Sequence, residues 1–277
     1  MKSTAPIFII GSGRSGTRAL YKAILGSPDV EVHHEFACAH VQQLAALKYM
    51  GFYSSGEVSR QIQEIYGSAI YWSPFSTWID CSNKATWLIS DLASQFPDAR
   101  FLNLVRDGRK VALSYYKKLG FEMYDDYSVS VMEQWLQETS SPRPPLEKRF
   151  WWNIPRQGQP FYDEFPFFNH FERAVYHWVM SNMEARTSLN RIDSKSVLTV
   201  KLENLVSNVT AQGEVCEFLG IPYTSSFADS LSSPKNVIVP VDYVMTPEQR
   251  AQFERIAATE MAVLGYDLDK REDRIEY

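Results

Sequence analysis

The sequence lacks several features that define particular protein classes. It contains three scattered cysteines among 277 residues, so neither a disulfide framework nor a cysteine metal site is expected. No apolar run is long enough to cross a membrane, and the first run is too short for a signal peptide, so we expect a cytoplasmic protein. An excess of positive charge is also absent, because 33 acidic residues outnumber 28 lysines and arginines. The net charge of −5 argues against a nucleic-acid partner.

The composition is that of an ordinary globular protein, with 45% hydrophobic and 22% charged residues. Strand-like apolar runs alternate with helical patterns along the chain. This alternation predicts an α/β fold, a parallel sheet of about five strands with helices on both faces. We expect one domain over residues 1–277, with strands near 6–10, 30–34, 76–80, 101–105 and 196–201.

Residues 120–168 form the least regular part of the sequence. Prolines and aromatic residues are dense there, among them Pro142, Pro144, Pro145, Phe150, Trp151, Trp152, Phe165 and Phe168. A long insertion of this kind is often a lid over a binding site. The alternative is that its aromatic residues only attach the segment to the domain.

The first motif is an apolar run followed by a glycine-rich turn. Residues 7–10 read Ile-Phe-Ile-Ile and precede Gly11-Ser-Gly-Arg-Ser-Gly16 and Thr17-Arg18. The run predicts a buried strand, and the residues after the turn predict the start of a helix. Free N–H groups and the positive dipole end at a helix start bind anions. The sequence therefore predicts a phosphate or sulfate site at this turn.

This turn alone fits more than one class of ligand. Its glycines match the G-x-G-x-x-G pattern of dinucleotide-binding proteins, and Glu35 lies about where an acidic partner of the ribose is expected. The spacing from Gly11 to Gly16 also matches a P-loop, but Thr17-Arg18 replaces the Lys-Ser/Thr pair of that motif. The turn therefore leaves the ligand open.

The second motif, at residues 101–116, repeats the order of strand, polar turn and helix. Arg106 follows the apolar run, at the carboxyl end of the predicted strand, where ligands of open α/β sheets bind. Asp107 suits the N-cap of the next helix, and Ser114 lies about two turns further on. An arginine and a hydroxyl that converge on one point suit a second phosphate.

Together the two motifs resemble those of the sulfotransferases that use 3′-phosphoadenosine-5′-phosphosulfate (PAPS). The match rests on Arg14-Ser-Gly-Thr17 and on a serine eight residues after Arg106, and it extends more loosely from residue 6 to about 220. The resemblance implies a P-loop-like sulfotransferase fold. It also implies that the first loop holds the 5′-phosphosulfate and the second motif the 3′-phosphate. The donor-binding residues would be Arg14, Ser15, Gly16, Thr17, Arg18, Arg106 and Ser114.

The resemblance further implies the reaction, an in-line transfer of the sulfuryl group of PAPS to a hydroxyl or an amine, which leaves the bisphosphate PAP. The transfer needs a base and positive charge around the donor. We expect Glu35 to be the base, with a pKa raised by partial burial, and His34 to be the reserve. Lys84 is expected to touch the transferring sulfate. The expected catalytic residues are Arg14, His34, Glu35 and Lys84, and Arg14, Arg18, Lys84, Arg106 and Arg109 balance the charge of PAPS without a metal.

Gly108 departs from this pattern, because the family often has proline there, and it predicts a looser 3′-phosphate site. Three other functions stay open: a non-catalytic nucleotide-binding protein, an NAD-binding oxidoreductase and a P-loop kinase, for which Asp80 is the candidate magnesium ligand. The acceptor is not specified by the sequence: a small molecule, a glycolipid or a carbohydrate would fit. The oligomeric state is equally open.

Overall fold

A computed structural model provides the structure of the chain and describes residues 4–119, 125–137, 153–232 and 244–269. Much of the predicted insertion lies outside the described residues, including Pro142, Pro144, Pro145, Phe150, Trp151 and Trp152. The lid therefore stays a prediction.

Five parallel strands form one sheet, which confirms the predicted fold class. The strands are β1 (Ala5–Ile10), β2 (Val30–His34), β3 (Thr77–Cys81), β4 (Arg100–Val105) and β5 (Val197–Lys201). Their order in the sheet is β2-β3-β1-β4-β5, so β1 lies at the centre. Because all five strands run in the same direction, their carboxyl ends meet at one edge of the sheet.

Twelve α-helices connect and follow the strands in the described part of the chain. None of them is long and apolar enough to span a membrane. The helices are α1 (Thr17–Ile24), α2 (Cys38–Tyr49), α3 (Ser55–Ile62), α4 (Ser68–Tyr71), α5 (Ile89–Gln95), α6 (Gly108–Leu119), α7 (Asp126–Gln137), α8 (His170–Leu189), α9 (Leu202–Ser207), α10 (Val209–Leu219), α11 (Ser225–Ser232) and α12 (Pro247–Val263).

The described residues fall into two compact units. The first unit contains those within 1–48, 53–106 and 181–236, and it includes the whole sheet. The second unit contains those within 49–52, 107–180 and 237–277. The expectation of one domain over the whole chain stays a prediction.

In the first unit, one face of the sheet is packed with aliphatic side chains. Alternate residues of β1 and β4, among them Ile7, Ile9, Leu102 and Leu104, are fully buried. They share a core cluster with apolar residues of α1, α9, α10 and α11. Full burial of one such side chain contributes about 1.5–3 kcal/mol. This packing makes the sheet a rigid base for the residues that follow its strands.

The opposite face of the sheet is packed with aromatic rings. The centroid of the Phe8 ring lies 5.7 Å from that of Phe101 and 5.5 Å from that of Tyr66, which belongs to a π-helical turn at Gln63–Gly67. Trp78 of β3 packs edge-on against the same tyrosine. Both faces of the sheet are therefore covered, as predicted for a parallel sheet.

The second unit contains the described end of the predicted insertion. Phe165 and Phe168 pack around Tyr176 of α8, with Phe165 and Tyr176 centroids 4.8 Å apart. These two phenylalanines are buried, whereas Phe167 between them is exposed. Phe165 and Phe168 therefore attach the segment to α8, the simpler of the two roles that the sequence suggested for these aromatic residues.

Close packing explains why the first residue of α6 is a glycine, Gly108. A Cβ atom at Gly108 would lie 2.9 Å from three carbons of the Trp178 indole. That indole is fully buried in the second unit and cannot move aside as a flexible side-chain end could. Close packing against Trp178 therefore disfavours any larger residue here, including the proline that the family often has. The looser phosphate site stays a prediction.

We predict that Gly108→Ala destabilises the protein by about 1–3 kcal/mol, because the added methyl group overpacks the contact with Trp178. Gly213→Ala is the control, since a Cβ atom there meets nothing within 4 Å in the middle of α10. Helix propensity should make the control more stable by about 1 kcal/mol. Urea unfolding measures both variants, and a Gly108→Ala protein as stable as wild type would contradict the packing argument.

Candidate active site

The predicted site residues of the first unit follow the ends of four neighbouring strands. The glycine-rich loop follows β1, Glu35 follows β2, Lys84 comes three residues after β3, and Arg106 follows β4. Since these ends share one edge of the sheet, residues far apart in sequence come together there. The structure thus places the glycine-rich loop and Arg106, the part of the second motif that lies in this unit, at the same edge of the sheet.

The backbone of the loop after β1 requires glycine at several positions. Gly13 and Gly16 have φ angles of 77° and 102°, and Arg14 between them has φ of 53°. A Cβ atom at Gly16 would lie 2.7 Å from a methyl carbon of Leu202, and one at Gly11 would lie 2.6 Å from the Leu104 carbonyl oxygen. The glycines are therefore needed both for the left-handed turn and for the close approach of neighbouring chain segments.

This loop contains a buried hydroxyl without a protein partner. Ser15 is fully buried, and its hydroxyl has no hydrogen-bond partner. Two residues later α1 begins at Thr17, with no side-chain cap and no acidic residue in its first turn. Buried polar groups are rarely left unpaired, and a helix start carries positive potential. The loop is therefore suited to bind an anion.

Two residues that hold the loop in place have roles that the sequence did not reveal. The Thr86 hydroxyl donates to the carbonyl of Gly11 at 3.0 Å and accepts from its N–H at 3.1 Å. The Arg106 guanidinium donates to the carbonyl of Arg14 at 3.0 Å. Arg106 was predicted only as a phosphate ligand. Neither contact could be found from local sequence, because each joins segments that are distant along the chain.

Glu35 and Lys84 form an ion pair at this edge of the sheet. The Lys84 ammonium lies 2.9 Å from Glu35 Oε1 and donates at 3.1 Å to Asn83 Oδ1. The Lys84 side chain is only 9% exposed and that of Glu35 29% exposed, so water screens the pair weakly. Glu35 has φ of 56°, an uncommon value for a residue with a side chain. The structure therefore brings together the predicted base and the predicted sulfate contact.

The predicted direction of the Glu35 pKa is wrong. Burial raises this pKa, as the sequence analysis assumed, but the charge and the hydrogen bond of Lys84 outweigh burial, and the pKa of Glu35 is lowered. The protonated form of His34 also lowers it. Glu35 is therefore ionised, and able to accept a proton, throughout the neutral range.

His34 lies on the other face of the edge strand from His33. The His34 ring packs on Tyr21 of α1, with centroids 5.7 Å apart, whereas His33 packs on Trp78. Burial lowers the pKa of His34, Glu35 opposes that shift, and the positive charge of Arg18 and Lys84 adds to it. His34 is therefore neutral near pH 7. Arg18 is exposed but close enough for its charge to act on His34.

Asp80 of β3 is fully buried beneath the Glu35 turn. Its Oδ1 accepts the N–H of Phe36 at 3.0 Å, and its Oδ2 accepts the hydroxyl of Tyr66 at 3.2 Å. Burial raises the pKa of Asp80 to about 7. Both oxygens are thus used inside the protein, which does not suit the magnesium ligand that a kinase would need. Among the described residues, no group of three or more acidic, histidine or cysteine side chains could hold a metal.

The helical part of the second motif lies in the second unit. Asp107 caps α6, as predicted, by accepting the N–H of Arg109 at 2.8 Å. The guanidinium of Arg109 is buried and pairs with both oxygens of the same carboxylate. The sequence analysis did not foresee this ion pair, and the expected contribution of Arg109 to balancing the charge of PAPS stays a prediction. Ser114 is buried in this unit, and its phosphate role stays a prediction.

The fold is that of an α/β protein with a glycine-rich loop after its central strand. The sequence profile described as Sulfotransferase family matches residues 6–144, just over half of the chain. The chain therefore belongs to the Sulfotransferase family, which makes it a transferase. No curated protein sequence matches the chain significantly.

Two solved structures have a similar fold. The sulfotransferase domain from the curacin biosynthetic pathway has a TM-score of 0.51 at 13% identity, over 96% of this chain and 99% of that one. The sulfotransferase domain of the Synechococcus PCC 7002 olefin synthase has a TM-score of 0.54 at 16% identity, over 96% of this chain and 97% of that one. At such identities the similarity establishes the fold alone.

The strand order also bears on the dinucleotide-binding alternative. In the Rossmann order 3-2-1-4-5-6 the second strand is the neighbour of the first. Here β3 lies between β1 and β2. Glu35, the expected ribose partner, is instead bound to Lys84. Both observations disfavour an NAD-binding oxidoreductase.

We predict that Lys84→Met raises the pKa of Glu35, because burial then acts on the carboxylate without an opposing cation. The wild-type pair stabilises the fold above the usual glutamate pKa, and this contribution is lost as pH falls through the lowered folded-state pKa. Carbon-13 NMR of labelled glutamate carboxyl groups follows the titration, and Glu35→Gln assigns the signal. Lys195→Met, which removes an exposed lysine, is the control. An unchanged Glu35 titration in Lys84→Met would contradict the ion pair.

Proposed function

We propose that this protein transfers the sulfuryl group of PAPS to a hydroxyl or an amine of an acceptor, with Glu35 as the base. The observation that carries the proposal is the buried, unpartnered hydroxyl of Ser15, two residues before the uncapped start of α1. Such a loop suits the 5′-phosphosulfate of the donor. The family of the chain supports the type of reaction.

Donor binding in this proposal uses the edge of the sheet in the first unit. The hydroxyl of Ser15 and the N–H groups at Gly16, Thr17 and Arg18 would bind the 5′-phosphosulfate. The side chain of Arg14 would add positive charge. Arg106 would bind the 3′-phosphate while its other contact keeps the loop in place. Ser114 is assigned to the same phosphate by resemblance to the family alone.

The proposed chemistry follows from the Lys84–Glu35 pair. The ionised Glu35 carboxylate would take the proton of the acceptor as the acceptor oxygen or nitrogen attacks sulfur. The bond between sulfur and the bridging oxygen of the donor then breaks, and the electron pair leaves with the 5′-phosphate of PAP. Lys84, which lies next to Glu35, would stabilise the negative charge that develops on the sulfuryl group and the leaving phosphate.

The proposed acceptor is a small molecule, a glycolipid or a carbohydrate. The runner-up function is a nucleotide-binding protein without catalysis. The Lys84–Glu35 pair favours the enzyme, because a protein that only binds the nucleotide has no use for an ionised carboxylate near the bound anion. Mass spectrometry of a cell extract incubated with the protein and PAPS would identify the acceptor by an added sulfonate.

We predict that PAP stabilises the protein against heat, whereas NAD and ATP with magnesium do not. A ligand at about 100 times its Kd adds about 2.7 kcal/mol, which raises the Tm by several degrees. Arg106→Ala should weaken PAP binding, because a charge-assisted hydrogen bond is worth about 1.5–3 kcal/mol. Arg60→Ala, on the exposed side of α3, is the matched control. Stabilisation by NAD alone, or full PAP affinity in Arg106→Ala, would overturn the proposed donor site.

We also predict that Glu35→Gln retains PAP binding but loses turnover, by about 10²–10⁴-fold, because a positioned base contributes that much to proton transfer. Sulfate transfer from PAPS and PAP-induced stabilisation are measured on the same preparation. Glu214→Gln, an exposed change on α10, is the control. Full activity in Glu35→Gln would show that Glu35 is not the base, and His34 would then be tested in the same way.

A further inference from the structure

The turn that carries Glu35 is strained, and one buried side chain holds it. Glu35 and Ala37 have φ angles of 56° and 45°, so two residues with side chains adopt left-handed conformations around Phe36. The N–H of Glu35 still continues the sheet by donating to the Cys81 carbonyl at 3.1 Å. The next N–H, that of Phe36, leaves the sheet pattern and donates to Asp80 Oδ1. The carboxylate of Asp80 thus replaces the partner that a regular strand would have supplied.

Burying Asp80 lowers the stability of the fold, so we expect a function that requires this residue. Its side chain is fully buried, and within the described residues no cation lies at salt-bridge distance from it. A buried acid without a paired cation is expensive. Its partners are the Phe36 N–H and the hydroxyl of the fully buried Tyr66. An amide in this place could still accept the Phe36 N–H through its oxygen, but its NH₂ group would have to donate to the Tyr66 hydroxyl, which reverses the second hydrogen bond.

We propose that Asp80 is a positioning residue, which accepts the Phe36 N–H and thereby holds the strained turn so that the Glu35 carboxylate faces the Lys84 ammonium. The effect of Asp80 on turnover rests on the proposed function. The inference goes beyond that function because the fully buried Asp80 would act through the backbone of the turn and not by contact with donor or acceptor. The ring of Phe36, packed 5.2 Å from that of Trp78, holds the other side of the same residue.

The charges around Glu35 determine how the proposal is tested. Lys84 from the segment after β3, His34 from β2, Cys38 from α2 and Asp80 from β3 all act on this carboxylate or border it. Because the pKa of Asp80 is raised to about 7 and that of Glu35 is lowered, Asp80 is protonated where Glu35 titrates, and removing it takes away the anchor of the turn. Asp80→Asn keeps the anchor, since its amide oxygen still accepts from Phe36, and it reverses the hydrogen bond with Tyr66, to which its NH₂ group can donate. Comparing Asp80→Ala with Asp80→Asn isolates the anchor.

The experiment titrates Glu35 by carbon-13 NMR in the ligand-free full-length protein and measures PAPS turnover in parallel. We expect the pKa of Glu35 to be about one unit higher in Asp80→Ala than in Asp80→Asn, which is a tenfold greater proton affinity. A carboxylate that moves away from its cation loses a pKa shift of about that size. Turnover should fall on the order of 10²-fold in Asp80→Ala, as displacement of a catalytic group by about 1 Å can cause. Asp80→Asn should stay closer to wild type, and the PAP-induced rise in Tm should persist in both.

If Asp80→Ala does not fold, Asp80→Leu in a Tyr66→Phe background takes its place, because leucine fills the space and the phenylalanine removes the hydroxyl left without a partner. Equal Glu35 titrations and equal turnover in the anchored and unanchored variants would overturn the proposal. A wild-type protein that does not bind PAP would contradict the proposed function instead. The NMR titration would then still decide whether Asp80 positions Glu35.

Discussion

The ion pair between Lys84 and Glu35 connects the ends of two adjacent strands and sets the chemistry of the candidate site. It forms because β2 and β3 are neighbours and end at the same edge of the sheet. The low exposure of both side chains makes the attraction strong enough to reverse the effect of burial on the Glu35 pKa. A glutamate that burial alone would tend to protonate therefore stays ionised, and a lysine that would be costly to bury keeps a partner.

The glycine-rich loop after β1 depends on the same sheet. The central position of β1 places the loop between the strand ends that carry Thr86 and Arg106, and both residues bind its backbone. Those contacts fix the loop, whereas the buried Ser15 hydroxyl has no hydrogen-bond partner and the start of α1 has no side-chain cap. Although the net charge of the chain is −5, Arg14, Lys84 and Arg106 all follow strand ends at one edge of the sheet, which is the positive charge that the proposed donor site uses.

Much of the fold and part of the site follow from local sequence. The apolar run before Gly11 and the glycine pattern after it predict a strand, a turn and a helix start, and the structure has all three. Periodicity is a local property, so the positions of the five strands were predicted within a few residues. The direction of the Glu35 pKa was not, because it depends on Lys84, a residue 49 positions away that only the strand order brings close. The pairing of Arg109 with Asp107 was missed for another reason: an arginine in a motif looks the same whether it faces a ligand or a carboxylate.

A crystal structure of the protein with PAP bound tests the central claim most directly. The proposed site predicts that the 5′-phosphate lies against the Ser15 hydroxyl and the N–H of Thr17, with the Lys84 ammonium on the side where the sulfuryl group would be. A nucleotide bound elsewhere, with Ser15 still buried and the Lys84–Glu35 pair facing no ligand, would contradict it.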